Sequence, residues 1–335
     1  MLGRKQEWVQ GAALLAEMTR KNKLFFLAAA GAVVWSYSQR VWRRWENVDL
    51  ADIEKPGRLL QVGDIRLHYE EAGEGPPLLL LHGLNGSTFS FHLLSPLMKS
   101  RFRVIALDLL GFGYSDRPNG VDYSLEAQAR LVAGFLDALS IEKTHLLGYS
   151  LGGAVAMHFA AAYPERVDRL ILAASATDEE MRRGLRSSRV VRPLLPVVAV
   201  LTLHNKRFRR MSLRSACYDS SIITDELVEQ YIAPSHVRGH LRALGSLMVD
   251  RGHDVRVDLS AVRAPTLVLW GAGDRWLPPS QGERLRELLP DARLVLVDRA
   301  GHLLFEERPE EAAKAITDFL TEPGRRGETQ TLQVG

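Results

Sequence analysis

The stretch Gly148-Tyr149-Ser150-Leu151-Gly152 decides the fold. Residues 144–147 before it are typical of a buried strand, and the small residues 153–157 after it are typical of a helix. G-x-S-x-G between a strand and a helix is the nucleophile elbow, a turn so sharp that the serine side chain stands clear of the backbone. This turn predicts that only glycine fits at positions 148 and 152, because a side chain at either position would collide with neighbouring backbone.

Two polar residues downstream each follow a buried strand. Asp274 comes shortly after the apolar run Thr266–Trp270, and His302 comes shortly after Arg293–Val297. The carboxyl ends of parallel strands lie at one edge of a sheet, so these side chains are expected to meet Ser150 there. The order Ser, Asp, His along the chain is that of one hydrolase architecture.

These three residues predict covalent catalysis. A serine hydroxyl is a weak nucleophile, so Ser150 needs a base that takes its proton during attack. Histidine exchanges protons near neutral pH, which suits His302 to accept that proton and later to donate it to a leaving group. Asp274 would hold the imidazole in the right tautomer and stabilise the imidazolium. Attack would form an acyl-enzyme on Ser150, which water then hydrolyses.

The oxyanion that forms during such an attack needs hydrogen-bond donors. The strand-like run Pro77–Leu81 ends in the tight loop His82–Gly86, which would aim the backbone N–H of Leu84 at the oxyanion. The second donor would be the backbone N–H of Leu151, directly after the nucleophile at the start of its helix. We therefore predict an oxyanion hole formed by Leu84 and Leu151. His82 itself is predicted to make a structural hydrogen bond.

Two further motifs accompany these residues. One is Ala106–Ser115, with the sequence ALDLLGFGYS, and the other is Glu306-Glu307-Arg308-Pro309 before the last predicted helix. With them, the chain resembles the α/β-hydrolase superfamily over about residues 59–320. The resemblance implies a mostly parallel eight-stranded sheet flanked by helices, with a helical cap inserted over the active site. Some members place the acid after an earlier strand, so Asp178 remains an alternative to Asp274.

The predicted elements alternate between strands and helices, as an α/β sheet requires. Eight strands are predicted, at Leu59–Val62, Ile65–Tyr69, Leu78–Leu81, Val104–Leu107, Thr144–Leu147, Leu170–Ala173, Thr266–Trp270 and Leu294–Val297. The alternation stops over residues 176–262, where the resemblance implies the cap. We therefore assign residues 46–175 and 263–320 to the hydrolase core and residues 321–335 to a polar, frayed tail.

The predicted cap changes from acidic at Asp178–Glu180 to strongly basic. The basic residues of its first half are Arg182, Arg183, Arg186, Arg189, Arg192, Lys206, Arg207, Arg209, Arg210 and Arg214. Between the basic clusters lies the apolar run Val190–Leu201. Such a surface suits contact with anionic lipid headgroups, and it equally suits an apolar run packed on the core with solvated arginines around it. Nucleic acid is a poor explanation, because no binding module is present.

The N-terminal segment, residues 1–45, contains the uncharged apolar run Leu24–Trp35. With the residues up to Arg40, the run approaches the roughly 20 residues that span a bilayer. Four of the six tryptophans lie in this segment, as expected at a membrane interface. We predict a single-pass N-terminal membrane anchor. Basic residues balance at its two ends, so the sequence leaves the side of the membrane open.

Three other interpretations compete with a spanning anchor. They are a cleaved secretory signal, a helix lying in the membrane plane and a helix packed on the hydrolase. The spacing Ala28-x-x-x-Ala32, with Gly31 beside it, would let two anchors pack closely and form a homodimer.

The composition is that of an ordinary folded enzyme, with 25% charged residues and a net charge of +3. The single cysteine, Cys217, excludes an intramolecular disulfide. The eight histidines other than His82 and His302 have no paired ligand spacing, so no metal site is predicted. No strand–turn carries a nucleotide-binding glycine motif, and no cofactor is expected.

Within the superfamily, the anchor, cap and serine triad resemble membrane-bound monoacylglycerol lipases and bacterial membrane phospholipases or carboxylesterases. We therefore expect a membrane-tethered serine hydrolase that cleaves carboxylic esters, with acyl or lipid esters as substrates. Carbon–carbon bond hydrolases share the triad and cap but usually carry a more glycine-rich oxyanion loop than His82–Ser87. They are the alternative, together with thioesterases. From another class, a non-catalytic receptor for a small apolar ligand also fits this fold.

Overall fold

The described part of the chain forms one central sheet of nine strands. A computed structural model of the protein describes residues 29, 31–33, 36–37, 40–177, 205–249, 256–321 and 329–332. The strands are β1 Arg58–Val62, β2 Ile65–Ala72, β3 Pro77–Leu81, β4 Arg103–Leu107, β5 Thr144–Tyr149, β6 Val167–Ala173, β7 Thr266–Gly271, β8 Ala292–Val297 and β9 Thr329–Leu332. Their order across the sheet is β1-β2-β4-β3-β5-β6-β7-β8-β9.

The sheet is mostly parallel, as the sequence predicts. β1 pairs with β2 and β2 pairs with β4 in antiparallel orientation, and every other neighbouring pair in this sheet is parallel. The carboxyl ends of β5, β7 and β8 therefore lie at the same edge. This arrangement brings the loops that follow those three strands together.

The predicted number of eight strands is wrong by one. Residues Thr329–Leu332, which the sequence analysis assigned to a frayed tail, pair in parallel with β8 as its outer neighbour. The segment Thr-Gln-Thr-Leu is short and largely exposed, so it lacks the apolar run by which the inner strands are recognised. Its backbone hydrogen bonds cover the edge of β8, and its side chains add little to the core.

The inner strands owe their position to their apolar sequence. Leu78, Leu79, Leu80 and Leu81 of β3 are all fully buried, so both faces of this strand are covered. Continuous apolar runs of this kind are typical of parallel strands with helices on both sides. Burying each leucine side chain contributes about 2 kcal/mol, and this burial fixes the centre of the sheet.

Helices connect and cover the strands. They are α1 Leu94–Met98, α2 Leu125–Ala138, α3 Leu151–Ala162, α4 Lys206–Ala216, α5 Asp225–Ile232, α6 His240–Val249, α7 Pro279–Leu288, α8 Leu304–Glu307 and α9 Pro309–Thr321. Helix α2 begins because the Ser124 hydroxyl accepts a hydrogen bond from the Ala127 backbone N–H, 3.2 Å away. Its buried residues recur every three or four positions, so one face packs against α3 and β1.

Helices α4, α5 and α6 form the described part of the predicted cap. A small apolar cluster that includes Leu213, Val228 and Ile232 joins α4 to α5. Lys206 and Arg210 of α4 form ion pairs with acidic residues of α5, so these two basic side chains pair within the cap. The acidic start of the cap, five of its ten listed basic residues and the run Val190–Leu201 lie outside the described residues.

The N-terminal segment contacts the cap where it enters the fold. Residues 40–45 are helical, and the Glu46 carboxylate accepts hydrogen bonds from the Gly239 and Leu241 backbone N–H groups at the start of α6. The Trp45 ring stacks on His236 at 5.2 Å between centroids. Most of the predicted anchor lies outside the described residues. In the part of the chain that the structure describes, no helix has the length and apolar character needed to cross a membrane.

Candidate active site

Ser150 stands on a strained turn between β5 and α3. Its backbone angles are φ 53° and ψ −115°, a conformation that costs a non-glycine residue free energy. The flanking glycines leave no room for a side chain. A Cβ at position 148 would lie 2.4 Å from the Gly152 carbonyl oxygen, and one at position 152 would lie 2.1 Å from the Leu81 carbonyl oxygen. The expectation of glycine at both positions is therefore confirmed.

Hydrogen bonds to the neighbouring strand hold this turn in place. The Ser150 N–H donates to the Ala173 carbonyl oxygen at 3.0 Å, at the end of β6. The Ser150 carbonyl oxygen accepts from the N–H groups of Gly153 and Ala176, both at 3.0 Å. The strained residue is thus fixed from both sides, and its hydroxyl faces the edge of the sheet.

The structure brings the three predicted side chains together. His302 Nε2 lies 3.2 Å from Ser150 Oγ, and His302 Nδ1 lies 2.8 Å from Asp274 Oδ2. Asp274 and His302 are each 4% exposed, so water screens their contact weakly. Asp178, the alternative acid, lies outside the described residues.

Asp274 is held in a fixed orientation by its own loop. Its Oδ1 accepts hydrogen bonds from the backbone N–H groups of Trp276 and Leu277, at 2.8 and 2.9 Å. The other oxygen, Oδ2, then faces the imidazole of His302. This contact favours the tautomer in which Nδ1 carries the proton and donates to Asp274. The lone pair of Nε2 is left to face the Ser150 hydroxyl, as a base requires.

The predicted oxyanion residues Leu84 and Leu151 both line the cavity above Ser150. Leu151 is the first residue of α3, where backbone N–H groups have no partner within the helix and the helix dipole favours negative charge. The loop that carries Leu84 approaches the nucleophile closely, since a Cβ at Gly83 would lie 3.1 Å from the Ser150 Cβ. Both residues therefore lie on the wall of the cavity that Ser150 also lines.

His82 supports this loop from beneath. Its Nε2 accepts a hydrogen bond from the Leu109 backbone N–H at 3.1 Å, and its Nδ1 donates to the Gly83 carbonyl oxygen at 2.7 Å. Burial lowers the pKa of His82, so the ring is neutral at physiological pH. The prediction that His82 has a structural role is confirmed.

A cavity of about 660 Å³ opens above Ser150 and His302. Its walls come from the core and from the cap, with Tyr231, Leu213 and Leu244 among its larger side chains. Such a volume suits a small organic substrate rather than a polymer.

Arg209 of α4 places a positive charge on the cavity wall. Its guanidinium donates to the carbonyl oxygens of Asn85 and Tyr231, at 3.0 and 3.3 Å. Burial lowers the pKa of Arg209 to about 10, so the group remains charged at neutral pH. Within the described residues, no carboxylate lies at ion-pair distance from it. Sequence analysis counted Arg209 only among the basic residues of the cap.

Comparison with known proteins decides the family. Residues 76–309 match the family model described as the alpha/beta hydrolase fold. The chain belongs to the α/β-hydrolase family. It is a hydrolase of this fold, as the resemblance in the sequence implies.

Three similar proteins are named for two kinds of substrate: two are hydrolases of an oxo-dienoate or a meta-cleavage product, and one is a phospholipase. The 2-hydroxy-6-oxo-2,4-heptadienoate hydrolase of Pseudomonas putida is 30% identical over 275 residues, which cover 79% of this hydrolase and 96% of that relative. A solved meta-cleavage product hydrolase from Pseudomonas fluorescens IP01 is 27% identical, with a TM-score of 0.67 over 79% of this chain and 97% of that one. A solved bacterial membrane phospholipase A is 27% identical, with a TM-score of 0.63 over 89% of this chain and 96% of that one.

A buried hydrogen bond between His68 and Asp108, behind the oxyanion loop, was not foreseen from the sequence. The Asp108 carboxylate accepts hydrogen bonds from the N–H groups of Thr88 and Tyr114, and His68 Nδ1 lies 2.7 Å from it. Burial disfavours the charged form of His68, but the hydrogen bond and charge of Asp108 outweigh it and raise the pKa of His68. In the sequence, Asp108 is recognisable only as part of the motif Ala106–Ser115.

Glu306 is a buried carboxyl group close to the cavity wall. It accepts a hydrogen bond from the hydroxyl of Tyr231. Burial raises the pKa of Glu306 to about 8, against the opposing effect of that hydrogen bond. The carboxyl group is therefore largely protonated at neutral pH in the folded protein.

The elbow glycine gives the first test. Gly152→Ala places a Cβ against the Leu81 carbonyl oxygen, so we expect insoluble protein or a Tm lower by at least about 10 °C. Gly245→Ala in α6 is the matched control, because a Cβ there meets nothing within 4 Å. Its expected effect is a Tm higher by about 2–4 °C, from the helix propensity of alanine. Equal Tm values for the two variants would contradict the packing described for the elbow.

Glu306 gives the second test, on pH. Its folded pKa lies above the unfolded value, so the folded state holds a proton that the unfolded state releases. The associated stability is fully present below about pH 4.5 and is lost as the pH rises through about 8. Glu306→Gln cannot ionise, so its Tm relative to wild type should rise steadily between pH 5 and pH 8. Glu310→Gln, at an exposed site, is the control. A pH-independent difference for Glu306→Gln would refute the assignment.

Proposed function

We propose that this hydrolase attacks a carbonyl carbon of its substrate with Ser150. The observation that carries the proposal is the chain of hydrogen bonds from Ser150 through His302 to Asp274 at the base of the cavity. His302 Nε2 takes the hydroxyl proton while Oγ forms a bond to the carbonyl carbon. The carbonyl electron pair moves to oxygen, where the N–H groups of Leu84 and Leu151 stabilise the charge.

The intermediate then collapses and releases the first product. The bond between the carbonyl carbon and the leaving atom breaks, and the leaving group takes the proton from His302, on the alkoxide oxygen of an ester or on the enolate oxygen of a dienoate. Water, deprotonated by the same imidazole, next attacks the acyl group on Ser150 and releases an acid. The leaving atom is oxygen for an ester. For a 2-hydroxy-6-oxo-dienoate it is carbon, which must first gain a proton as the enol becomes a ketone, so that the electron pair of the broken bond passes into an enolate. The same three side chains serve the acyl transfer in both reactions.

For the substrate, we place cleavage of a carbon–carbon bond in an oxo-dienoate first. The names of the curated relative from Pseudomonas putida and of the solved meta-cleavage product hydrolase support it. Arg209 supports it as well, because a dienoate carries a carboxylate that would pair with this cation. This order reverses the expectation from sequence, in which ester cleavage came first and carbon–carbon cleavage was the alternative.

Ester hydrolysis is the second candidate, and one observation favours it. The membrane phospholipase A covers 89% of this chain, against 79% for the meta-cleavage product hydrolase, so the likeness extends over more of the chain. An acyl ester with an anionic headgroup would also meet Arg209. Under this candidate the membrane anchor predicted within residues 1–45 would hold the enzyme at its substrate. Release of the full-length chain by an alkaline carbonate wash would refute a spanning anchor.

The two substrate classes are separated by one set of assays. We expect loss of the chromophore of 2-hydroxy-6-oxo-6-phenylhexa-2,4-dienoate, and Ser150→Ala should lower kcat by about 10⁶. Arg209→Gln should raise KM for this anion at least about tenfold, because a charge-assisted contact is lost. Arg207→Gln, at an exposed site on the same helix, is the control and should leave KM unchanged.

Other outcomes would each replace the proposal. Cleavage of a monoacylglycerol or lysophospholipid with no turnover of the dienoate would put ester hydrolysis first. A folded protein that cleaves neither, and whose Ser150 does not react with a fluorophosphonate, would be a binding protein on a hydrolase fold.

A further inference from the structure

The loop that carries His302 is held by the cap. The segment Ala216–Asp219, which we call the cap linker, begins at the last residue of helix α4 and lies against this loop. The His302 backbone N–H donates to the carbonyl oxygen of Ala216 at 2.7 Å. The catalytic imidazole proposed above is therefore anchored to a residue of the cap, as well as to the core strand before it.

Glu307 makes a second connection between the same two segments. Its Oε2 accepts a hydrogen bond from the Gly301 N–H at 2.6 Å, on the His302 loop. Its Oε1 accepts from the N–H groups of Tyr218 and Asp219, at 2.7 and 2.8 Å, on the cap linker. One carboxylate thus joins the loop before the imidazole to the end of α4.

The negative charge of the Glu307 carboxylate is stabilised by backbone N–H groups. The residue is 6% exposed, and among the described residues no lysine or arginine lies at ion-pair distance from it. Burial raises the pKa of Glu307, and the three N–H donors oppose that effect by stabilising the anion. A carboxylate accepts hydrogen bonds and donates none, so its charged form matches three converging donors.

Steric fit supports the same connection independently. A Cβ at Gly301 would lie 2.4 Å from the Ala216 carbonyl oxygen and 2.6 Å from the Tyr218 nitrogen. A Cβ at Gly273, beside Asp274, would lie 2.6 Å from the Tyr218 ring. The cap linker is therefore packed directly against the loops of both the acid and the base.

We propose that Glu307 is a positioning residue that fixes His302 relative to Ser150 by tying the His302 loop to the cap linker. This inference rests on the catalytic role proposed for His302. Because both loops are seated on the cap linker, a displacement of the cap would lengthen the contact of 3.2 Å between Nε2 and Oγ. The cap then does more than cover the cavity, since it helps to build the catalytic geometry.

The position of Glu307 predicts whether its substitution changes kcat or KM. Glu307 is absent from the cavity lining, so it has no contact with substrate to lose. Misplacing the imidazole by about 1 Å costs up to about a hundredfold in rate. We therefore expect a change in kcat with little change in KM.

The test uses Glu307→Gln in the full-length protein. Glutamine offers one acceptor oxygen, and its NH₂ group would oppose the remaining N–H donors. We expect the rate of Ser150 labelling by a fluorophosphonate and kcat to fall together, by about tenfold to hundredfold, with KM within about threefold of wild type. Glu310→Gln is the control and should match wild type in both measurements.

Rescue by a small carboxylate separates positioning from a merely structural role. In Glu307→Ala, added formate fits the vacated space and accepts the same N–H groups, so we expect it to restore most of the labelling rate, whereas formamide should not. Wild-type labelling and kcat in Glu307→Gln, or no effect of formate on Glu307→Ala, would overturn the inference. Absence of labelling in the wild type would instead reject the proposed function, and this inference with it.

Discussion

The strained backbone of Ser150 is the constraint on which the rest of the site depends. A residue at φ 53° and ψ −115° persists only where its surroundings hold it. Here Gly148 and Gly152 let β5, α3 and the end of β3 approach within distances that exclude any side chain. The strain is offset by burial of these elements in the core. In return, the hydroxyl projects from the sheet edge at the position where His302 and the start of α3 converge.

The other parts of the site are fixed by backbone hydrogen bonds rather than by exposed side-chain contacts. Backbone N–H groups orient the carboxylates of Asp274 and Glu307, and His82 holds the oxyanion loop. Each of these groups is buried, so its hydrogen bonds act in a medium where they are strong and where breaking them is costly. The cap linker contacts the loops of both acid and base. Core and cap therefore build this candidate site together.

The sequence predicts those features of the molecule that depend only on a few consecutive residues. The first eight strands, the elbow, and the order of Ser150, Asp274 and His302 all follow from apolar runs and turn residues. The contacts of Arg209 and Glu307 depend on how the cap packs on the core, which no local pattern encodes. Glu307 did lie in a motif that marks the family, but the motif alone assigns it no partner. Strand β9 was missed because three of its four residues are polar and exposed. The sequence also placed ester cleavage before carbon–carbon cleavage, and its triad and cap motifs are common to both classes. The reverse order proposed above rests on the named relatives and on Arg209, whose place on the cavity wall depends on how the cap packs.

The central claim is that Ser150 and His302 act as one unit, and a double-mutant cycle tests it most directly. The measurement is kcat for Ser150→Ala, His302→Ala and the double variant on one substrate that the wild type cleaves. If the imidazole serves only to activate the hydroxyl, the double variant should be no slower than either single variant, within about threefold. Losses that multiply in the double variant would mean that the two side chains contribute independently, and would contradict the account.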